Sequence, residues 1–433
     1  MPLMMPRPEY VRQQIVSYPE LAEDRGNLES RLNAESGRIN SMLRRRGDDK
    51  CDLLSEFNSA LTVMKKKTSK KVGVLVREFE RRKAAFQYSR SQEARTGVID
   101  VNRLHSYKVS DEIFLSKSVL ADAKSHGMIF LVDYSGSMNS VLSNVIEQTL
   151  NLVEFCKKVG IPFEVYSFTD DARRRYKGGE ITSARYEVDL SDVVVANLLS
   201  SKLSRSKYEE AVRNLWCQVW LSESGNNSDA VRSRFENLGG TPLNTVLTMM
   251  HQLIRDFQSE HRVQKTLFVT LTDGDSHSLD YTCEREDIKH ELRVNVNGKS
   301  HSISARCTED YLKMIEDIPN VETIGFFLPS GRSKIKQELQ WKFGIRSQPK
   351  LNKLTNDYKK NGFIQLSDTL GYSTYFYLTP AVKIEDDDFS FESDDDLATS
   401  KRAQNKLARE FSKHNGDAKR SRVLMTQIAE KVA

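Results

Sequence analysis

The sequence has no apolar run long enough to cross a membrane. Its longest, residues 128–132, is five residues, against the roughly 20 that a spanning helix needs. No signal peptide is expected either, because Met1 to Arg12 holds prolines and charges but no apolar stretch. Cysteine is scarce. Cys51, Cys156, Cys217, Cys283 and Cys307 form an odd, scattered set, which excludes a disulfide framework and implies a reduced, cytoplasmic setting. The chain lacks His-Glu-x-x-His, so a zinc-protease role has no support. It also lacks a complete phosphate loop. Before Gly298-Lys299-Ser300 the required glycine position holds Arg293, and residues 325–333 have the wrong spacing with Arg332 where lysine belongs. The chain is therefore not expected to be an ATPase itself. A net charge of +5 over 433 residues does not by itself argue for nucleic acid.

What is present falls into zones. Residues 1–95 hold 20 Lys or Arg against 13 Asp or Glu, with basic runs at Arg44, Arg45 and Arg46 and at 65–71. Leu53, Leu54, Phe57, Leu61, Val63 and Met64 lead into Val72, Val74, Leu75 and Phe79 at helical spacing, a pattern for long amphipathic helices with a solvated or partner-docking face. From about residue 96 to 380 short buried strands (128–132, 162–168, 266–271, 321–328, then 363–366 and 374–378) alternate with helical stretches at 141–159 and 242–257. That alternation predicts an α/β fold, a mostly parallel sheet flanked by helices. Two insertions are expected, at 177–238 with a helix near 207–220, and at 277–306 with Asn297-Gly298 as a hairpin turn. Residues 381–396 read as an acidic linker with eight carboxylates between 385 and 396, and 397–433 as a polar helical tail.

Three loops carry the chemistry. Asp133-Tyr134-Ser135-Gly136-Ser137 follows the first strand of this zone and precedes a helix, which puts it at the carboxyl end of a strand, where crevices form in open α/β sheets. Gly239-Gly240-Thr241-Pro242-Leu243 opens another helix. Leu271-Thr272-Asp273-Gly274-Asp275 follows another strand. Each alone reads as an ordinary cap or turn; together, Asp133, Ser135, Ser137, Thr241 and Asp273 present only oxygen, the donor preferred by Mg²⁺, Mn²⁺ or Ca²⁺. A second group, Cys283, His290, His301 and Cys307, lies on both sides of the hairpin turn and has zinc-compatible donors. Its spacing matches no standard finger, and a polar hairpin with incidental Cys and His is the competing reading.

The three loops resemble the metal ion-dependent adhesion site of von Willebrand factor A domains. The fuller pattern at residues 127–138, 239–243 and 272–274 resembles the C-terminal domain of the cobaltochelatase subunit CobT, above all the CobT-like proteins of large tailed bacteriophages. The resemblance covers about residues 95–380. Unlike that family, this chain places its acidic run after the domain rather than before it. The resemblance implies a von Willebrand factor A (Rossmann-like) fold, one divalent cation with an open position that accepts a partner's carboxylate, and an AAA+ ATPase of the CobS or MoxR type as partner. A phage-encoded chain would work in the bacterial host cytoplasm. Two other functions are open on the residues: a non-catalytic subunit of a cobalt or magnesium chelatase, and a nucleic-acid binder using the basic N-terminal helices.

Overall fold

The computed structural model describes residues 2–43, 51–89, 92–99, 114–119, 125–170, 188–190, 192–273, 276–279, 292–296, 299–328, 335–341, 343–361 and 363–378. The acidic linker and the C-terminal tail lie outside them, as do Cys283, His290 and the Asn297-Gly298 turn. In chain order the elements are β1 (Pro2–Leu3), α1 (Pro8–Gln14), β2 (Ile15–Val16), α2 (Tyr18–Arg25), α3 (Leu28–Leu43), α4 (Leu53–Ser89), β3 (Gln92–Ile99), β4 (Phe114–Val119), β5 (His126–Asp133), α5 (Leu142–Val159), β6 (Phe163–Asp170), β7 (Val193–Ser200) and α6 (Arg205–Glu223). There follow α7 (Leu243–His261), β8 (Lys265–Thr272), β9 (Leu292–Val296), β10 (Lys299–Ile303), α8 (Thr308–Glu316), β11 (Val321–Phe327), α9 (Ile335–Trp341), α10 (Gln348–Asn361), β12 (Phe363–Thr369) and β13 (Tyr372–Leu378).

Eight strands form the main sheet in the order β12-β13-β11-β8-β5-β6-β7-β2. The five at its heart, β13, β11, β8, β5 and β6, run parallel. At the two flanks β12 opposes β13 and β7 opposes β6, while β2 pairs parallel with β7. The fold is thus mixed α/β with a mostly parallel sheet. A sheet covered on both faces needs strands that are apolar throughout rather than alternating, and β5 meets this: every residue after His126 is buried. Its side chains still divide by face. Met128, Phe130 and Val132 enter one buried cluster with α5 and α6; Ile129 and Leu131 enter a second with α7, α8 and α10.

Two stretches differ from the sequence reading. Val193–Ser200, within the expected insertion at 177–238, is strand β7 of the main sheet. Its run Val-Val-Val-Ala-Asn-Leu-Leu-Ser has no polar alternation because both faces are covered. The charged N-terminal helices also do not stand apart: Leu32, Leu53, Phe57, Val72 and Phe79 belong to the same cluster as the α5 face of the sheet. Elsewhere the hairpin arms pair antiparallel as β9 and β10. Among the described residues, no helix is long and apolar enough to cross a membrane.

The N-terminal helices are fastened by polar contacts as well as by packing. Arg25, at the end of α2, is 1 % exposed and faces Glu236, 0 % exposed; its Nε donates to Glu236 Oε2 at 2.8 Å. Burial works against the Glu236 charge, but the Arg25 guanidinium and the donors from Ser233 and Gln218 hold its carboxyl below the ordinary range. Beside this pair Asp24 accepts from the Ser233 hydroxyl and the Arg234 N–H, and Arg31 Nη1 donates to the Arg232 carbonyl at 2.9 Å. α2 and α3 therefore grip residues 232–236, just upstream of Gly239-Gly240-Thr241.

Removing one member of a buried pair leaves the other charge uncompensated, so Arg25→Met is expected to lower stability by about 3–5 kcal/mol in urea unfolding. Arg12→Met, which breaks the exposed contact to Asp256, should cost below about 1 kcal/mol.

Candidate metal centre

Numbered from β5, the parallel core and its reversed neighbour read 3-2-1-4-5-6 across the sheet (β7, β6, β5, β8, β11, β13). The chain leaves β5 towards β6 on one side and returns to β8 on the other, so the carboxyl ends of β5 and β8 flank the point where the strand order reverses. Ligand crevices in doubly wound sheets open at that point. Asp133 is the last residue of β5, and Asp273 follows the last residue of β8.

The side chains meet there. Ser137 Oγ donates to Asp273 Oδ1 at 2.7 Å, and the Ser135 and Ser137 hydroxyls are 3.0 Å apart. Asp133 has no exposed surface; its Oδ1 accepts from the Ser135 N–H at 2.9 Å and its Oδ2 from Thr272 Oγ1 at 2.7 Å. Ser137 alone of these residues is exposed, at the mouth.

The third loop is brought in through its backbone. Gly136 N–H donates to the Gly239 carbonyl at 2.7 Å, and Gly239 N–H donates to the Tyr134 carbonyl at 3.1 Å. Gly240 N–H donates to an Asp170 carboxylate oxygen at the end of β6. Thr241 is buried next to these residues, and its carbonyl accepts from His277 N–H at 2.9 Å. The glycine pair is a steric requirement. A Cβ at Gly239 would sit on the Asp170 carbonyl oxygen, and one at Gly240 would collide with the Asp170 carboxylate and the His277 ring.

Four contributors escaped the sequence reading. Thr272 holds Asp133, although it lies within the Leu-Thr-Asp-Gly string already singled out. Asp170 ends a strand as Asp133 does, but no hydroxyl-rich loop follows it to draw attention. His277 Nδ1 lies 3.3 Å from Asp170 Oδ2, a pairing between residues 107 positions apart that no local pattern encodes. Asn244 ties the start of α7 to the loop after β8: its N–H donates to Ser276 Oγ at 2.8 Å and its Nδ2 to the carbonyls of His277 and Ala305.

The donor set fits a hard cation. Its two carboxylates and three hydroxyl-bearing residues offer oxygen only, the donor type taken by Mg²⁺, Mn²⁺ or Ca²⁺; among the described residues no group of three or more His, Cys, Asp or Glu side chains converges. Burial pushes the Asp133 carboxyl up to about 7, against the hydrogen bonds from Thr272 and Ser135 and with added repulsion from Asp273. A divalent cation held by these residues would favour the ionised form of Asp133. Of the zinc alternative, His301 Nε2 lies 3.1 Å from Asp317 Oδ2 and Cys307 immediately precedes α8, with no capping hydrogen bond from its side chain.

No family model and no curated protein matches the chain. Among solved structures it is similar to the pilus adhesin SpaC from Lactobacillus rhamnosus GG, with 18% identity over 51% of this chain and 27% of the adhesin and a TM-score of 0.28. It is also similar to proximal thread matrix protein 1 from the mussel byssus, with 14% identity over 57% of this chain and 49% of that protein and a TM-score of 0.24. The matched region spans less than half of either protein, and at these TM-scores neither likeness bears on what this chain does.

A folded-state carboxyl with a pKa near 7 and an unfolded one near 4 binds more protons folded than unfolded in that interval. Its contribution is therefore full below about pH 4 and lost as pH rises through 7. Metal-free wild type is expected to lose roughly 2–4 kcal/mol between pH 4 and pH 8 relative to Asp133→Asn, measured by urea titration at each pH. Independently, Gly239→Ala should cost about 1–3 kcal/mol, because the loop must move off Asp170.

Proposed function

We propose that this chain is a metal-dependent docking protein. Asp133, Ser135, Ser137, Thr241 and Asp273 hold one hard divalent cation, Mg²⁺ or in its place Mn²⁺ or Ca²⁺, and a partner protein supplies a carboxylate to the cation's remaining position. The observation that carries the reading is the run Asp273–Ser137–Ser135 beside the buried Asp133, assembled at the reversal of the strand order. Bound there, the cation would supply a concentrated positive charge that attracts an anionic oxygen. The protein's own residues do the rest. Thr272 and the Ser135 N–H fix the rotamer of Asp133, while the Gly239-Gly240 backbone, clamped on residues 134–136 and 170, sets the position of Thr241.

The nature of the partner rests on the resemblance to von Willebrand factor A domains and to CobT. On that basis the chain docks to an AAA+ ATPase of the CobS or MoxR type and is not itself a catalyst. Support from the fold is general: ligands carried on loops over an independently packed sheet are suited to presenting a site without reshaping the core.

The test begins with protein stripped by EDTA. Adding Mg²⁺ or Mn²⁺ at about 100 times its dissociation constant should stabilise wild type by about 2.7 kcal/mol, seen as a rise in melting temperature, and should leave Asp133→Ala unmoved. Affinity capture with metal present should recover an AAA+ ATPase and release it on EDTA addition. Capture indifferent to EDTA and to Asp133→Ala would remove the metal from the function; metal-dependent capture of some other protein would remove only the ATPase.

A further inference from the structure

The long helix α4 carries nine Lys or Arg against three Glu, an excess larger than the +5 of the entire chain. Its inner face is apolar: Leu53, Phe57, Leu61, Val72 and Phe79 are buried. Its outer face has a seam of its own. Positions 63, 67, 70, 74, 77 and 81 alternate in steps of four and three, which aligns them along one side of a helix. They hold Val63, Lys67, Lys70, Val74, Arg77 and Arg81, all exposed, with exposed Lys66 beside them. Val63 and Val74, at 53% and 44% exposure, are two of the four large apolar side chains exposed among the described residues.

Val63 and Val74 lie in line with the cations, so a segment seated on this seam would meet apolar as well as charged side chains. A nucleic-acid backbone would engage the cations and leave the valines idle. The occupant that suits both is an acidic segment with apolar side chains of its own, and the chain contains one. Residues 385–396, Glu-Asp-Asp-Asp-Phe-Ser-Phe-Glu-Ser-Asp-Asp-Asp, have eight carboxylates around Phe389 and Phe391; they lie outside the described residues. We infer that residues 385–396 dock on the outer seam of α4, their carboxylates facing Lys66, Lys67, Lys70, Arg77 and Arg81 and their phenylalanines covering Val63 and Val74.

The dimensions allow it. From Val63 to Arg81 the seam is about 27 Å long at 1.5 Å per residue, and twelve residues span up to about 40 Å when extended. The last described residue is Leu378, and the six residues before Glu385 add up to about 20 Å of reach. Exposed ion pairs are individually weak, so docking depends on their number, on the aromatic contacts and on the millimolar effective concentration that tethering provides. An external acidic partner could then displace the segment. The inference stands independently of the metal reading.

The experiment uses the full chain and zero-length carbodiimide cross-linking, with a mixture of ¹⁴N- and ¹⁵N-labelled copies read by mass spectrometry. Cross-links from residues 385–396 should be about tenfold richer at Lys66, Lys67 and Lys70 than at Lys350 and Lys353, which are also exposed. They should join atoms of one copy and fade as salt rises from about 0.05 to 0.5 M. Val63→Ser with Val74→Ser, both at exposed positions, should lower the seam cross-links several-fold without changing the helical circular dichroism. An even spread over all exposed lysines would overturn the inference in favour of a solvated face. Cross-links only between copies would overturn it in favour of self-association. No seam cross-links together with duplex DNA binding that Lys66→Ser and Lys70→Ser abolish would overturn it in favour of nucleic acid.

Discussion

A carboxyl group with no exposed surface at the end of a central strand must be compensated, and the arrangement around Asp133 follows from that need. Its two oxygens take donors from different segments, the Ser135 N–H one turn on and the Thr272 hydroxyl at the end of the adjacent strand. Those bonds fix β5 against β8 at their carboxyl ends, and Ser137 then reaches Asp273. Hydrogen bonds offset only part of the burial, which pushes the Asp133 carboxyl above its ordinary range. The proposed cation would offset the remaining imbalance by favouring the ionised form.

The sheet was legible because both of its faces are covered. Short β-rich runs such as residues 128–132 and 266–271 can be told from amphipathic helices by length and β-branching, and β5, β6, β8 and β11 follow such runs. β7 was hidden by its surroundings, a short apolar run inside a long polar stretch, and its role depends on pairing with β6 rather than on its own pattern. The strands β1 and β2, two residues each, are below any periodicity; they exist because an edge was available.

At the site, sequence reading named the oxygens but not what holds them. Asp133, Ser135, Ser137 and Asp273 stand in loops with recognisable spacing, and the structure joins them by hydrogen bonds. Asp170 and His277 depend on the approach of β6 to the loop after β8, which is a tertiary fact. The reason for Gly239-Gly240 is likewise tertiary. The sequence suggests an ordinary cap or turn at the start of a helix, while the structure shows two places where any side chain would strike Asp170.

The buried pair of Arg25 and Glu236 has a consequence for the order in which the molecule is made. Its partners are 211 residues apart, so α2 leaves the ribosome long before the segment it holds has been synthesised. Contacts of such separation form late, after loop closure has been accomplished by other means. Until then Arg25 and its neighbours on α2 and α3 stay hydrated, and the residues leading to Gly239-Gly240-Thr241 lack their clamp. The backbone leading to Gly239-Gly240-Thr241 therefore gains its clamp from α2 and α3 only after residue 236 has been synthesised.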